Sequence, residues 1–317
     1  METIYFLVQQ TMLFSIPLLL VALGGMFSER SGVVNIALEG IMIIGAFTGI
    51  FFISRFGNLF SPTITLFIAI IISALSGLIF SLLHAYASIN MSADQVIIGT
   101  ALNIFAPAFA IYVTRAIQVV QQISFVNNFR IESVPILGNI PIIGNLLFKN
   151  AYITTYLGFI ILALSWFALY KTRFGLRLRS CGEHPQAADS VGINVYKPRY
   201  FGVAISGALA GIGGLVFVIP TSTNFNATVA GYGFLALAVL IFGQWKPIRI
   251  LYAAFFFGLM KTLASAYSGI PILSNLPISN SVYKMIPYIT TIIVLAFTSK
   301  NSQAPKASGL PYDKSVR

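Results

Sequence analysis

Charged residues are scarce in this chain. They make up 9% of its 317 residues, whereas hydrophobic residues make up 57%. A soluble globular domain carries roughly 25% charged residues. A chain this apolar would not stay dispersed in water, so the composition excludes the ordinary soluble classes and favours a protein of the lipid bilayer.

Cysteine, histidine and acidic residues are the other shortages. The only cysteine, Cys181, excludes an intrachain disulfide. The two histidines and eight acidic residues form no cluster with metal-ligand spacing, and no nucleophile is spaced to meet a base. We therefore expect neither a metal site nor catalysis within the chain. The net charge of +11 has an ordinary source in a membrane protein, because basic residues collect in cytoplasmic loops.

Long apolar runs are what the chain has instead. A helix needs about 20 apolar residues to span the hydrocarbon, and these runs are continuously apolar rather than alternating as in a barrel strand. They predict an all-α polytopic membrane protein with about 8–10 transmembrane helices. The nine runs are 5–27, 35–54, 63–86, 95–114, 152–170, 200–219, 231–243, 250–268 and 284–298.

The boundaries of the domain follow from these runs. Residues 1–300 are expected to form one transmembrane domain, and 301–317 a cytoplasmic tail. The N-terminus lacks the basic region of a signal peptide, so the first run is expected to be retained. The run 231–243 is short for a full span and is either re-entrant or extended by its neighbours.

Basic residues predict the orientation. The segment 171–199 holds the densest basic cluster, and the tail is also basic, so both are expected in the cytoplasm. Alternation from these two anchors places the N-terminus outside, together with 115–151, 220–230 and 269–283. If 231–243 is not a span, the N-terminal half inverts.

The cytoplasmic segment contains a predicted surface helix. Pro185 suits the first turn of a helix, and Gly192 suits the position just past its end. The intervening small residues predict about two helical turns. Ala187 and Ala188 would give this helix a shallow face suited to docking on another protein, and a solvated loop is the alternative.

This segment resembles the coupling loop of ABC importer permeases. Three further stretches match the same group: Ser28-Glu-Arg-Ser-Gly-Val-Val-Asn-Ile-Ala-Leu-Glu-Gly, Ser92-Ala-Asp-Gln-Val-Ile-Ile-Gly, and Gly231-Tyr-Gly-Phe-Leu-Ala-Leu-Ala-Val-Leu. Together they resemble the smaller of two permeases in nucleoside or simple-sugar ABC importers, within the branched-chain amino acid and ribose permease superfamily. The resemblance covers roughly residues 10–300.

The resemblance implies partners. These are a second permease, an ABC ATPase subunit, and an extracytoplasmic substrate-binding protein or lipoprotein, assembled in the cell membrane. The chain has no Gly-x-x-x-x-Gly-Lys-Ser/Thr sequence, so ATP and Mg²⁺ would be bound by the ATPase, and no cofactor is expected here. The residues expected to contact the ATPase are Glu183, Pro185, Ala187, Ala188, Asp189 and Gly192.

Polar residues near the apolar runs are candidates for the substrate pathway. Glu39 lies four residues after Asn35, so the two side chains are expected on the same helix face. The pair could bind substrate; alternatively Asn35 caps the helix while Glu39 pairs with Arg30. Asn103 either reads substrate or bonds a neighbouring helix. Uncharged residues from Thr221 onward could line an entrance or form a plain loop; the candidates here are Asn224, Phe225 and Tyr232.

The remaining alternatives concern the cargo and the energy source. A nucleoside is the expected cargo, and a simple sugar such as ribose is the alternative. An ion-coupled secondary transporter would commonly show inverted repeats and ionisable residues near the membrane centre. No repeat is apparent, and Glu39 is the one acid expected at that depth. Lys261 is expected to snorkel to the outer surface.

Overall fold

The computed structural model describes residues 2–134, 138, 140–141, 144–266, 279–298 and 303–314. Helices dominate these residues, as the apolar runs predict, and a helix lies within the described part of each of the nine runs. The helices are α1 Glu2–Arg30, α2 Leu38–Phe56, α3 Pro62–Ile89, α4 Gln95–Gln118, α5 Ile153–Lys171, α6 Arg173–Glu183, α7 Pro185–Ser190, α8 Tyr196–Thr221, α9 Tyr232–Phe242, α10 Pro247–Ala266 and α11 Asn280–Thr298.

Seven of the described helices are long and apolar enough to cross a membrane: α1, α2, α3, α4, α5, α8 and α10. Helix α9 is apolar but has only 11 residues, which gives it a length of about 16 Å. That is roughly half of the hydrocarbon thickness. Helix α9 therefore cannot cross a membrane without the chain that precedes it.

Helix α8 is the centre of the bundle and packs against α1, α2 and α3. Small residues make this close packing possible. A Cβ added at Gly45 of α2 would collide with the backbone of Gly211, and one added at Gly207 would collide with Ser81 and with the carbonyl oxygen of Gly77. Helices in lipid associate through such close backbone approach.

The bundle has two distinct ends. At what we call the tail end, the Arg30 side chain donates to the carbonyl of Trp245, and the Ala307 amide donates to the carbonyl of Gly182. At what we call the loop end, the Ser54 hydroxyl donates to the carbonyl of Ser124. Helix α1 begins at the loop end, and the described tail 303–314 lies at the opposite end.

The predicted outer loop 115–151 is folded. Helix α4 continues to Gln118, and two antiparallel pairs follow: β1 Ile123–Ser124 with β4 Asn224–Phe225, and β2 Arg130–Ser133 with β3 Lys149–Tyr152. A π-helical turn over Gly144–Phe148 precedes β3. Pro135, and positions 269–278 of the predicted outer segment 269–283, lie outside the described residues.

The basic segment 171–199 is more helical than the sequence predicts. Its first half forms α6, a helix of 11 residues where the sequence predicted none. The Thr172 side chain caps it by accepting a hydrogen bond from the Gly175 amide at 3.1 Å. Helix α7 then follows between Pro185 and Gly192, which confirms the predicted surface helix.

Candidate substrate pathway and coupling surface

Helix α2 begins inside the bundle rather than at its end. The chain from 31 to 37 runs inward from the tail end without forming a helix. The Asn103 side chain of α4 bonds the chain on both sides of the point where α2 begins. Its Oδ1 accepts from the Gly40 amide at 2.7 Å, and its Nδ2 donates to the Ile36 carbonyl at 2.8 Å. Asn103 lies about 12 Å along α4 from its first residue, so α2 starts at that depth.

Asn35 is part of the inward segment. It is completely buried, and its Nδ2 donates to the Ser206 hydroxyl of α8 at 2.9 Å. Its Oδ1 has no hydrogen-bond partner among the described residues. The expectation that Asn35 caps α2 is wrong, because the N-cap position is Ala37 and no side chain caps from it. Asn35 also precedes the first residue of α2, so the expectation that it shares a helix face with Glu39 is wrong as well. Asn35 anchors the segment to α8 instead.

Glu39 joins α2 to α9. Its two carboxylate oxygens accept from the Gly231 amide at 2.9 Å and from the Gly233 amide at 2.6 Å. These amides belong to the first turn of α9, where a negative charge is stabilised by unpaired N–H groups and by the helix dipole. The expected pair between Glu39 and Arg30 is wrong: the Arg30 ion pair is with Glu183, at 3.3 Å.

Helix α9 therefore also begins inside the bundle. The non-helical residues 222–231, which we call the extended segment, lead to it. The segment starts at the loop end, where β4 pairs with β1, and it reaches Glu39 at Gly231. Ala227, Ala230 and Gly231 have φ values of 55°, 53° and 78°, which excludes a right-handed helix there. The segment and α9 together cross the bundle once. The N-terminus and the tail consequently lie at opposite ends, as the predicted alternation requires.

The extended segment has two different faces. Phe225, Ala227 and Val229 are buried, while the residues between them point outward. The exposed residues are Asn224, Asn226, Thr228 and Ala230. From Asn224 to Val229 the alternation of exposed and buried residues follows the alternation of polar and apolar residues in the sequence.

The two aromatic candidates lie in the core. Phe225 is 3% exposed and Tyr232 is 1% exposed. The Tyr232 ring packs 4.0 Å from the Phe217 ring, centroid to centroid, and the Lys261 ammonium lies 5.9 Å from the Tyr232 centroid. Lys261 thus faces a ring within the bundle rather than snorkelling outward. Phe234, the third residue of α9, is 51% exposed.

The predicted ATPase-contacting residues lie on and around α7. His184 caps the helix, its Nδ1 accepting from the Ala187 amide at 3.2 Å, and Gly192 ends it with a φ of 83°. The two alanines that were predicted to form a docking face differ in exposure: Ala187 is exposed and Ala188 is buried. Of the other candidates, Glu183 and Gly192 are exposed, Asp189 is half-buried and Pro185 is buried.

The C-terminal tail is fastened beside α7, which the sequence did not predict. The buried Arg199 donates from Nη1 to the Leu310 carbonyl at 3.2 Å, and its guanidinium lies over the Tyr312 ring. Tyr312 packs with Cys181 and Ala188. A groove of about 520 Å³ lies between α7 and the tail. It is lined by His184, Gln186, Ala187, Asp189, Ser190, Tyr312 and Lys314.

The lone cysteine is an internal group of this surface. Cys181 is completely buried in α6. Burial raises the pKa of its thiol, while Arg199 and a hydrogen bond with Ser180 oppose that effect. Among the described residues, no three His, Cys, Asp or Glu side chains form a group that could hold a metal ion.

Comparison with known proteins decides the family. Residues 7–295 match the protein family described as the permease component of branched-chain amino acid transport systems. The chain belongs to this permease family. It is therefore a multi-pass membrane protein, and it is the permease component of a transport system rather than an enzyme. The predicted all-α permease fold is confirmed.

Relatives of the permease cover nearly its whole length. It is 42% identical to the nucleoside ABC transporter permease protein NupC of Lactococcus lactis, over 99% of this chain and 98% of NupC. It is 44% identical to the guanosine ABC transporter permease protein NupQ of Bacillus subtilis, over 98% of this chain and 97% of NupQ. A second Lactococcus lactis permease, NupB, is 25% identical over 92% of this chain and 81% of NupB. No solved structure matches the permease.

Proposed function

We propose that this permease is a transmembrane subunit of an ATP-driven importer of nucleosides. The observation that carries the proposal is the identity of 42% to NupC and 44% to NupQ over almost the whole chain. Both relatives are named for nucleoside or guanosine transport. The uncharged polar side chains exposed along the extended segment suit a neutral polar cargo of this kind.

The tail end faces the cytoplasm in this proposal, in the cell membrane. The basic segment 171–199 lies there together with the described tail, and basic residues are retained on the cytoplasmic side of membrane proteins. The N-terminus and the described part of the loop 119–152 then face outward. The loop end is where an extracytoplasmic substrate-binding protein would deliver its cargo.

The ATPase subunit docks at the groove between α7 and the tail. The exposed Ala187, Glu183 and Gly192 and the half-buried Asp189 supply the contact, while Pro185 and Ala188 anchor α7 from beneath. Movement of the ATPase passes from α7 through Tyr312 and Arg199 into α8. ATP and Mg²⁺ bind to the ATPase, and this chain needs no cofactor of its own.

A second permease completes the pathway. NupC and NupB are both from Lactococcus lactis, and both are named nucleoside permeases. Their resemblance to this chain supports a pair of related subunits around a shared pathway. A simple-sugar cargo is the weaker alternative, because NupC and NupQ, at 42% and 44% identity, are named for nucleoside or guanosine transport.

Uptake by cells with and without this gene tests the proposal. Labelled guanosine and uridine are supplied, with excess unlabelled ribose as a competitor. We expect uptake that depends on this gene and on the ATPase, and that resists ribose. Uptake abolished by ribose would make the chain a sugar permease. The absence of gene-dependent uptake of either nucleoside would overturn the cargo assignment.

A further inference from the structure

The extended segment before α9 occupies an unusual place for a membrane protein. It begins at the loop end, where Asn224 pairs with Ser124. It ends at Gly231, which bonds Glu39 at the depth where α2 begins. The residues between these two points therefore cross the outer half of the bundle without a helix.

Hydrocarbon does not tolerate such a segment on a lipid-facing surface. Non-helical backbone at membrane depth occurs only where protein covers it or where it lines a water-filled cavity. An amide side chain without a hydrogen-bond partner would add to the cost of exposure to lipid. Because Asn226 and Thr228 point away from the core that the described residues form, the outward face of the segment must meet water or other protein.

The outward side chains are free to bind. Among the described residues, the side chains of Asn224 and Asn226 have no hydrogen-bond partner. The Thr228 hydroxyl oxygen accepts from the Ala230 amide at 3.1 Å, which leaves its proton available. This face thus offers amide donors, amide acceptors and a hydroxyl donor.

The same face carries no charge. The residues from 222 to 231 include no ionisable side chain. Glu39, at the inner end, is 8% exposed and has both oxygens bonded to α9 amides. Lys261 faces the Tyr232 ring. An ion would find no counter-charge on this face, whereas the hydroxyl groups of a neutral sugar would find both donors and acceptors.

We infer that Asn224, Asn226 and Thr228 line the substrate pathway and bind the hydroxyl groups of a neutral polyhydroxylated substrate, such as the ribose moiety of a nucleoside. This inference rests on the proposed function and names the residues through which that function is exercised. Glu39 acts as a positioning residue, since it holds the inner end of the segment through α9.

Cysteine accessibility tests whether the face is wet. Asn226→Cys is made in the assembled transporter and treated with a charged, water-soluble thiol reagent. Leu75→Cys is the matched control, because Leu75 is 54% exposed on the apolar surface of α3. The natural Cys181 is buried and contributes little background. We expect the Asn226→Cys variant to be labelled at least tenfold faster than Leu75→Cys; equal rates would overturn the inference.

Transport kinetics test the contact with substrate. Asn226→Leu and Thr228→Val remove the polar groups at similar volume, and we expect each to raise the KM for guanosine by about three- to tenfold, the loss of one hydrogen bond. Asn128→Leu and Thr63→Val are matched controls at exposed positions outside the segment.

The outcomes separate this inference from the proposed function. A wild-type transporter that imports no nucleoside contradicts the proposed function. If the wild type imports guanosine and the two segment variants keep the KM of the controls, the inference alone fails. A raised KM together with protection of the Asn226→Cys thiol by guanosine supports it.

Discussion

The Glu39 carboxylate accepts a hydrogen bond from the Gly233 amide, which lies 194 residues later in the chain. Through this bond the second residue of α2 caps α9, and two helices that begin inside the bundle are fixed to each other. Close backbone contact accompanies the bond, because a Cβ added at Gly233 would collide with the Glu39 backbone. The junction leaves little freedom for either helix to shift alone.

Substitution of Glu39 tests this junction. Glu39→Gln keeps one acceptor oxygen but removes the negative charge from the N-terminus of α9, and we expect a loss of about 1–2 kcal/mol. The loss should appear as a lower unfolding temperature of the purified complex and as slower uptake. The exposed Glu132 in the outer loop provides the control Glu132→Gln. Unchanged stability and uptake in Glu39→Gln would contradict both roles given to Glu39, which are to join α2 to α9 and to position the extended segment.

Asn103 makes the corresponding contact at the start of α2. Asn103→Asp preserves the shape of the side chain and the acceptor for the Gly40 amide, but it cannot donate to the Ile36 carbonyl. We expect the half-buried Ile36 carbonyl, left without its donor, to cost about 1–2 kcal/mol. Thermal unfolding of the purified permease measures this, with Asn128→Asp as the matched change at an exposed site. Equal unfolding temperatures for the two variants would contradict the assignment.

The neighbouring alanines of α7 give a paired test of ATPase docking. Ala187 is exposed and Ala188 is 3% exposed. We expect Ala187→Cys to crosslink to a cysteine placed on the facing ATPase surface, and Ala188→Cys to fail. Efficient crosslinking of both, or of neither, would contradict the contact proposed for this face.

The natural cysteine should not interfere with that experiment. Burial raises the pKa of the Cys181 thiol, and the thiolate is the reactive form. A raised pKa keeps the thiol protonated at neutral pH, so its labelling should become appreciable only at a higher pH than for an ordinary thiol. Rates measured from pH 7 to pH 9 check this, and rapid labelling of Cys181 at pH 7 would contradict it.

The tail should be released when Arg199 is replaced. Arg199→Ala removes the hydrogen bond to Leu310 and the cation over Tyr312. We expect trypsin to cut the variant after Lys306 at least tenfold faster than the wild type, because cleavage requires the local chain to detach. Lys197→Ala is the control, since Lys197 is an exposed basic residue on the same helix. Equal cleavage rates would mean that Arg199 does not hold the tail.

Hydropathy and residue spacing predicted the helices of this protein well, and they failed where depth or distant partners decide the structure. The apolar runs located α1 and α8, but nothing in a run records that α2 starts beside Asn103. Glu39 was recognisable as a costly residue at membrane depth. Its partners could not be inferred, because they lie almost 200 residues away on another helix.

The coupling surface was predicted in part for a similar reason. Pro185 and Gly192 mark the ends of a helix in the local sequence, so α7 was predictable. Helix α6 was missed because its basic residues, such as Arg177, suggest a solvated arm rather than a helix. The fastening of Tyr312 beside Ala188 depends on tertiary packing that no local pattern encodes.

Guanosine accumulation in proteoliposomes tests the central claim most directly. The vesicles contain this permease with its second permease and ATPase, and the binding protein is supplied outside. The account predicts that labelled guanosine accumulates above its external concentration only when hydrolysable ATP reaches the ATPase, with no requirement for an ion gradient. Accumulation that persists without ATP and collapses with a proton or sodium gradient would contradict it.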